Sequence, residues 1–376
     1  MLTLYVHVPF CVKKCLYCGF YSSQYSHDEA DVFISCLARE ADFVCSEQGT
    51  LPVSSIYIGG GTPTCLTLEQ LETLFAIVKR SFTLVENGEF TVEANPTTLN
   101  PDKLLLMHRA GVNRLSIGIQ SFHDVLLKIL GRAHSAMQAV IAFQDARDAG
   151  FDNINIDLIY GIPGQSSRQW KETLNTAVSL HPQHISAYSL SLEEHTPFHR
   201  DAAEGRFALP DDEVVVAQYE QAVEFLGETG YRRYEISNFA LPGAECRHNN
   251  HYWRRGEYQG LGPGAWSFVG GKRLHNVADL KVFSNSLIMG VPARDHVERS
   301  GQQAAARESI FLGLRTMQGL DLAGFHREFG EALMRQLDVN IEQLSGSGLF
   351  HVQGGWLRLT ERGILLSDEV VARISP

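Results

Sequence analysis

The chain has no apolar run approaching the roughly 18 residues that a membrane-spanning helix needs, and its opening, Met1-Leu-Thr-Leu-Tyr-Val-His-Val-Pro9, is too short for a secretion signal. It also lacks a basic excess. Lys and Arg number 32 against 43 Asp and Glu, a net charge of −11, which argues against a general polyanion binder and against an enzyme that modifies nucleic acid through a basic groove. The expectation is a cytoplasmic protein with no membrane span and no nucleic-acid partner. Cysteine is sparse: Cys36, Cys45, Cys65 and Cys246 stand singly, as reduced, buried thiols do, and three others are clustered.

What the chain does have is alternation. With 376 residues and 44% hydrophobic content it can bury a large domain and a smaller one. Short β-branched runs at 2–8, 55–58, 89–93, 113–119, 153–158 and 184–190 are separated by helical patterns, such as Asp28 to Val44 with Val32, Phe33, Cys36, Leu37, Ala41 and Val44 on one face. Six βα units around a parallel sheet follow. A weak repeat supports them: Arg109-Ala-Gly111, Asp148-Ala-Gly150 and Glu228-Thr-Gly230 each close a helix before a strand, with glycine at the left-handed position. Helices are expected to open at Ser166 and Asp211. Residues 1–230 therefore read as an α/β partial (β/α)6 barrel. Residues 231–300 read as a final strand followed by irregular loops rich in Gly and aromatics. Residues 301–376 read as a winged-helix-like α+β module with a hairpin through Gly354-Gly355. That last module has seven Arg and no Lys against nine carboxylates, which suits a structural lid better than a DNA-binding unit.

The loop after the first strand carries Cys11-Val-Lys-Lys-Cys15-Leu-Tyr-Cys18. Three thiolates are one short of a closed zinc site, and the next residues, Gly19-Phe-Tyr21, supply no fourth ligand. A labile zinc site or an incidental cluster is one reading. The other is a 4Fe-4S cluster with one iron left open, the arrangement that S-adenosylmethionine (SAM) chelates through its amino and carboxylate groups. Polar residues then recur where successive strands end: Gly59-Gly60-Gly61-Thr62-Pro63, Glu93-Ala-Asn-Pro96, Gln120-Ser-Phe122, Leu130-Gly-Arg132-Ala-His134 and Asp157. Each alone reads equally as a turn or a cap. In parallel barrels, however, the chemistry sits at the C-terminal ends of strands.

Together with His7-Val-Pro-Phe-Cys11, Arg114-Leu-Ser-Ile-Gly-Ile-Gln-Ser121 and Asn155-Ile-Asp-Leu-Ile-Tyr-Gly161, these stretches resemble the radical-SAM family that contains oxygen-independent coproporphyrinogen III dehydrogenases and HemW-type heme chaperones. The resemblance spans nearly the whole chain. It implies a 4Fe-4S cluster on Cys11, Cys15 and Cys18 and a SAM site lined by Tyr5, Gly60, Gly61, Thr62, Glu93, Gln120, Arg132 and Asp157, with Tyr17 near the adenine. Gly60 to Thr62 would hold the amino end of SAM, Arg132 would pair with its carboxylate and Asp157 would accept from the ribose hydroxyls. If SAM is cleaved, an electron donor is also required.

Two features separate the branches. The dehydrogenases carry a further cysteine two positions beyond the third ligand, where this chain has Phe20, and an N-terminal extension that would precede the first strand here. In their place stands His248-Asn-Asn-His-Tyr252-Trp253, which matches the His-Asn-x-x-Tyr-Trp pattern of the heme-chaperone branch. The resemblance thus implies a chaperone that binds heme and passes it to acceptor apoproteins. His248 is the expected axial ligand, with Cys246 a competing one. Tyr252 and Trp253 would cover the macrocycle, and Arg232, Arg233, Arg254 and Arg255 are candidates for the propionates. The alternative function is oxidative decarboxylation of coproporphyrinogen III.

Overall fold

The computed structural model describes residues 1–376, with side chains at every position except 47 and 48. Six parallel strands form its centre: β1 (Leu2–Val8), β2 (Leu51–Gly60), β3 (Phe82–Ala94), β4 (Arg114–Gln120), β5 (Ile154–Tyr160) and β6 (His184–Ser189), each hydrogen-bonded to the next. The helix between β1 and β2 (His27–Gln48) lays Phe33, Leu37 and Ala41 on the outer sheet face, against Leu4, Val6 and Val8. Other crossover helices start on polar caps. Thr67, Ser135 and Ser166 each form a reciprocal capping box with the Gln three residues later, and Asp211 precedes the helix Asp212–Glu228. The six expected units are therefore present.

The stretch from 231 to 300 corrects the expectation of one strand and irregular loops. It supplies six strands: β7 (Arg232–Glu235), β8 (Asn238–Ala240), β9 (Tyr258–Leu261), β10 (Trp266–Val269), β11 (Lys272–Asn276) and β12 (Arg294–Arg299). All join the central sheet, whose order is β12-β11-β10-β9-β1-β2-β3-β4-β5-β6-β8-β7. β9 runs parallel to β1, and β10 to β12 add as antiparallel strands. The strands are short and interrupted by glycine turns, so their period-two signal is weak. The sheet curls as an open partial barrel: its two outermost strands, β12 and β7, do not pair.

The C-terminal segment has its own apolar cluster, including Ala306, Ile310, Leu314, Phe325, Leu337, Leu357 and Ile374. Phe350–Gln353 and Trp356–Leu359 form the expected hairpin, with Gly354 (φ 60°) and Gly355 (φ 80°) both left-handed at its turn. Among the described residues no helix is long and apolar enough to cross a membrane.

Candidate functional site

Strand alternation gives the sheet two different faces. The outer positions are Leu, Val and Ile packed on helices, whereas the inner positions carry Tyr57, Glu93, Arg114, Ser116, Asn155, Asp157 and Ser186. These side chains, with the cysteine loop above them, line a cavity of about 560 Å³. Cys11, Cys15, Cys18, Tyr17, Gly60, Gly61, Thr62, Glu93, Gln120, Arg132 and Asp157 all reach it. Tyr5, His248, Tyr252 and Trp253 do not line it. Tyr5 is on the same inner face, one strand out from Tyr57, its hydroxyl 3.0 Å from His7 Nδ1 and its ring 6.2 Å from Tyr57.

The upper wall is stitched together by the backbone. Gly61 N–H donates to Val8 O (2.8 Å) and Thr62 N–H to Phe10 O (2.7 Å), so the glycine loop lies directly under the chain that enters Cys11. No side chain fits there. A Cβ on Gly61 would meet Phe10 O at 2.4 Å, and one on Gly60, which is left-handed at φ 106°, would meet the His7 ring at 2.7 Å. Leu16 N–H donates to Leu130 O (3.2 Å), which ties the cysteine loop to the turn that carries Arg132.

The charged groups are buried and only partly matched. Burial raises the Glu93 carboxyl to about 7, although Tyr57 OH donates to Oε1 (2.7 Å) and Gly60 N–H to Oε2 (3.1 Å). Asp157 is likewise raised by burial while accepting from Asn155 Nδ2 (2.8 Å) and Ser116 Oγ (3.0 Å). Arg132 donates through Nη1 to Cys15 Sγ at 3.2 Å and through Nη2 to Gly118 O, and its Nε is buried without a partner. Burial works against its charge, but the neighbouring Cys15 and Tyr17 raise its pKa. Gln120 holds a left-handed backbone, φ 70°, rare for a residue with a side chain. Burial also raises the Cys18 thiol.

The donor set fits an iron–sulfur cluster better than a single ion. Among the described residues no three His, Cys, Asp or Glu side chains converge on one point. A cluster does not require that, because each thiolate binds a different iron. The glycine cradle and the buried, partnerless Arg132 Nε also fit a zwitterionic ligand that brings its own carboxylate and ammonium.

Below this cavity lies the His248 motif, on a short helix, Arg247–Trp253. Glu89 caps it from inside: its carboxylate accepts from Arg247 N–H (2.9 Å), His248 N–H (3.2 Å) and Cys246 Sγ (3.3 Å). The motif is expected in an irregular loop, and the structure instead places it on a helix. His248 is 0% exposed, its Nδ1 is 2.8 Å from Ser55 Oγ and its Nε2 is 2.9 Å from Tyr252 OH, so neither nitrogen is free. Burial lowers its pKa to about 3. Cys246 is equally buried, and its thiol is raised to about 12. Trp253 lies under the Arg315 guanidinium, 4.8 Å away. Two of the expected propionate partners are engaged: Arg233 pairs with Glu361, and Arg255 with Glu308 and Glu328 (both 2.9 Å).

Sequence reading missed Tyr57, Arg114, Ser116, Asn155, Ser186 and Asn249 as lining residues. A signal existed for most of them. In strands buried on both faces, near-continuous apolar runs are the norm, and Arg114-Leu-Ser-Ile-Gly-Ile-Gln120 instead alternates.

An open parallel sheet around a cavity with a three-cysteine loop and a glycine cradle defines the radical SAM class. The Radical SAM superfamily pattern matches residues 5–177, and the HemN C-terminal domain matches 302–366. The heme chaperone HemW of Bacillus subtilis is 37% identical over 372 residues, 98% of each chain, and that of Escherichia coli is 39% identical over 268 residues, 70% of this chain and 69% of the relative. The mouse radical S-adenosyl methionine domain-containing protein 1, mitochondrial, is 32% identical across 99% of this chain and 87% of its own. Within the radical SAM superfamily, the chain belongs to the heme chaperone HemW family. Among solved structures, coproporphyrinogen III oxidase (HemN) of Escherichia coli superposes with a TM-score of 0.87 at 24% identity, over 100% of this chain and 90% of the other. That likeness concerns the fold.

Proposed function

We propose that this protein is a cytoplasmic heme chaperone, taking up heme and delivering it to acceptor apoproteins. The observation that carries the reading is kinship with HemW proteins over 98% of the chain, including the helix that bears His248-Asn-x-x-Tyr-Trp. Cys11, Cys15 and Cys18 hold a 4Fe-4S cluster, and Gly60 to Thr62, Glu93, Gln120, Arg132 and Asp157 hold SAM beside it, with Tyr17 at the adenine. When bound, the cluster and SAM supply one-electron chemistry. The chain's own contribution is to bind and orient them: the fork of Arg132 for a carboxylate, and backbone carbonyl oxygens of the glycine loop for the ammonium end. For His248 to take heme iron, Tyr252 OH must give up Nε2, so the arrangement described above corresponds to the heme-free chain.

Hemin titration of the reconstituted, anaerobic protein, followed by transfer to an apoprotein, tests the reading. The expected outcome is a defined Soret band, transfer to the acceptor, and no protoporphyrinogen formed from coproporphyrinogen III and SAM. His248→Ala should weaken heme retention while iron content and SAM affinity stay normal, and Cys246→Ala run alongside would reveal a thiolate ligand. Protoporphyrinogen formation without heme transfer would replace the chaperone reading by the dehydrogenase one.

A further inference from the structure

A heme that enters this protein first needs an imidazole nitrogen that is both free and reachable, and His248 offers neither in the closed chain. The outer strands offer one. Trp266, His275 and His296 stand in direct register across β10, β11 and β12. Register and alternation place Trp266 beside Gly260 and Gly260 beside Tyr5, so this ladder continues the inner face of the sheet outward from the cavity.

The ladder is built around one ring. A register shift between His275 and Asn276 makes Asp295 an extra residue of β12, and such bulges re-aim a side chain. Here the Asp295 carboxylate accepts from His275 Nδ1 at 2.7 Å. That bond puts the proton on Nδ1 and leaves Nε2 with its lone pair and no partner among the described residues, on a side chain that is 20% exposed; a carboxylate behind the ring is the usual support of a metal-binding imidazole. Trp266, 41% exposed, covers one side of the ring at 4.5 Å and 36°. His296 is different: its Nε2 faces Glu298 at 3.3 Å, and no carboxylate among the described residues supports its Nδ1. Elsewhere on the surface, His123 Nε2 is taken by Gln169 O and His326 Nε2 pairs with Glu331, while, among the described residues, the exposed His181, His195, His199 and His351 are free but have neither a carboxylate behind the ring nor an indole stacked on it.

We propose that His275 is an external heme-loading ligand. Heme iron binds its Nε2, Asp295 fixes the tautomer and Trp266 fixes the ring plane, while the propionates stay in water. This site is separate from His248 and rests on the heme-chaperone reading.

The test is stopped-flow mixing of full-length protein with hemin, read by the Soret band, followed by a challenge with apomyoglobin. Wild type should show a fast-exchanging fraction and a slow, retained one. His275→Ala should lose the fast fraction and keep its melting temperature, His296→Ala should keep both fractions, and Asp295→Asn should shift the Soret position of the fast one. His248→Ala should lose only the retained fraction. An unchanged fast fraction in His275→Ala, with heme still bound, overturns the loading site and leaves the chaperone reading standing. No heme bound by wild type in either fraction overturns both.

Discussion

Adding one methyl group at Gly61 should separate the two loops that build the upper wall. Gly61 is not left-handed, so alanine carries no backbone strain there, and the whole effect is steric. The new Cβ would lie 2.4 Å from Phe10 O and 2.9 Å from Phe10 N, whereas ordinary contact begins near 3.4 Å, so the strands must part by about 1 Å. That motion stretches Gly61 N–H to Val8 O and Thr62 N–H to Phe10 O. Two backbone bonds at about 1 kcal/mol each, with overpacking of about 1–3 kcal/mol, give a loss of roughly 3–5 kcal/mol. For a chain of 376 residues that corresponds to a fall in melting temperature on the order of 4–6 °C. Because Phe10 precedes Cys11, iron content after reconstitution should fall as well. Gly227→Ala is the control. It lies in a helix with nothing within 4 Å of a built Cβ, and should gain about 0.5–1 kcal/mol. Thermal unfolding and iron analysis of both variants make the comparison. A Gly61→Ala protein that melts with wild type and takes up full iron would refute the close stitching.

Two further outcomes are expected. Arg132→Ala should weaken SAM binding at least about tenfold by calorimetry, and Arg132→Lys should not restore it, since an ammonium cannot make the fork; unchanged affinity would remove Arg132 from the site. Glu93, raised to about 7 from the ordinary 4.5, binds more protons folded than unfolded between those values, so its share of stability is present below about 4.5 and lost as pH rises through 7. In the cofactor-free protein Glu93→Gln should therefore flatten the decline in melting temperature between pH 5 and 8, a term on the order of 3 kcal/mol, while the part due to Glu40, raised the same way, persists.

The sheet centre and the upper site were legible because each rests on a local signal. Leu2 to Val8 and the other five β-branched runs mark strands, and the cysteine spacing and Gly59-Gly-Gly-Thr-Pro63 mark the loops that follow two of them. The outer strands were not legible. β10 and β11 are four and five residues long, joined by Gly270-Gly271, and β12 is exposed along its whole length, so no apolar face announces them. Burial of His248 was hidden for another reason. Its partners Ser55, Glu89 and Tyr57 lie 159 to 193 residues away in the chain for the two it bonds, and nothing near the motif signals that a carboxylate from β3 will cap its helix.

That burial changes how the two halves of the site relate. The His248 ring stacks 5.1 Å from Tyr57, Tyr57 OH donates to Glu93 Oε1, and Glu93 Oε2 receives Gly60 N–H. The next residues, Gly61 and Thr62, bond the chain that enters Cys11. Every member from Tyr57 to the glycine loop is held by a group that also belongs to its neighbour, and Glu93 has both its oxygens engaged, one on each side. Removing the imidazole from its seat takes away the packing on one face of Tyr57 and frees Ser55 Oγ and Tyr252 OH, two polar groups that must find new partners in a closed interior. The floor that carries the His248 helix and the wall that carries the glycine loop are thus one continuous structure, and the carboxylate of Glu93 is the group they share.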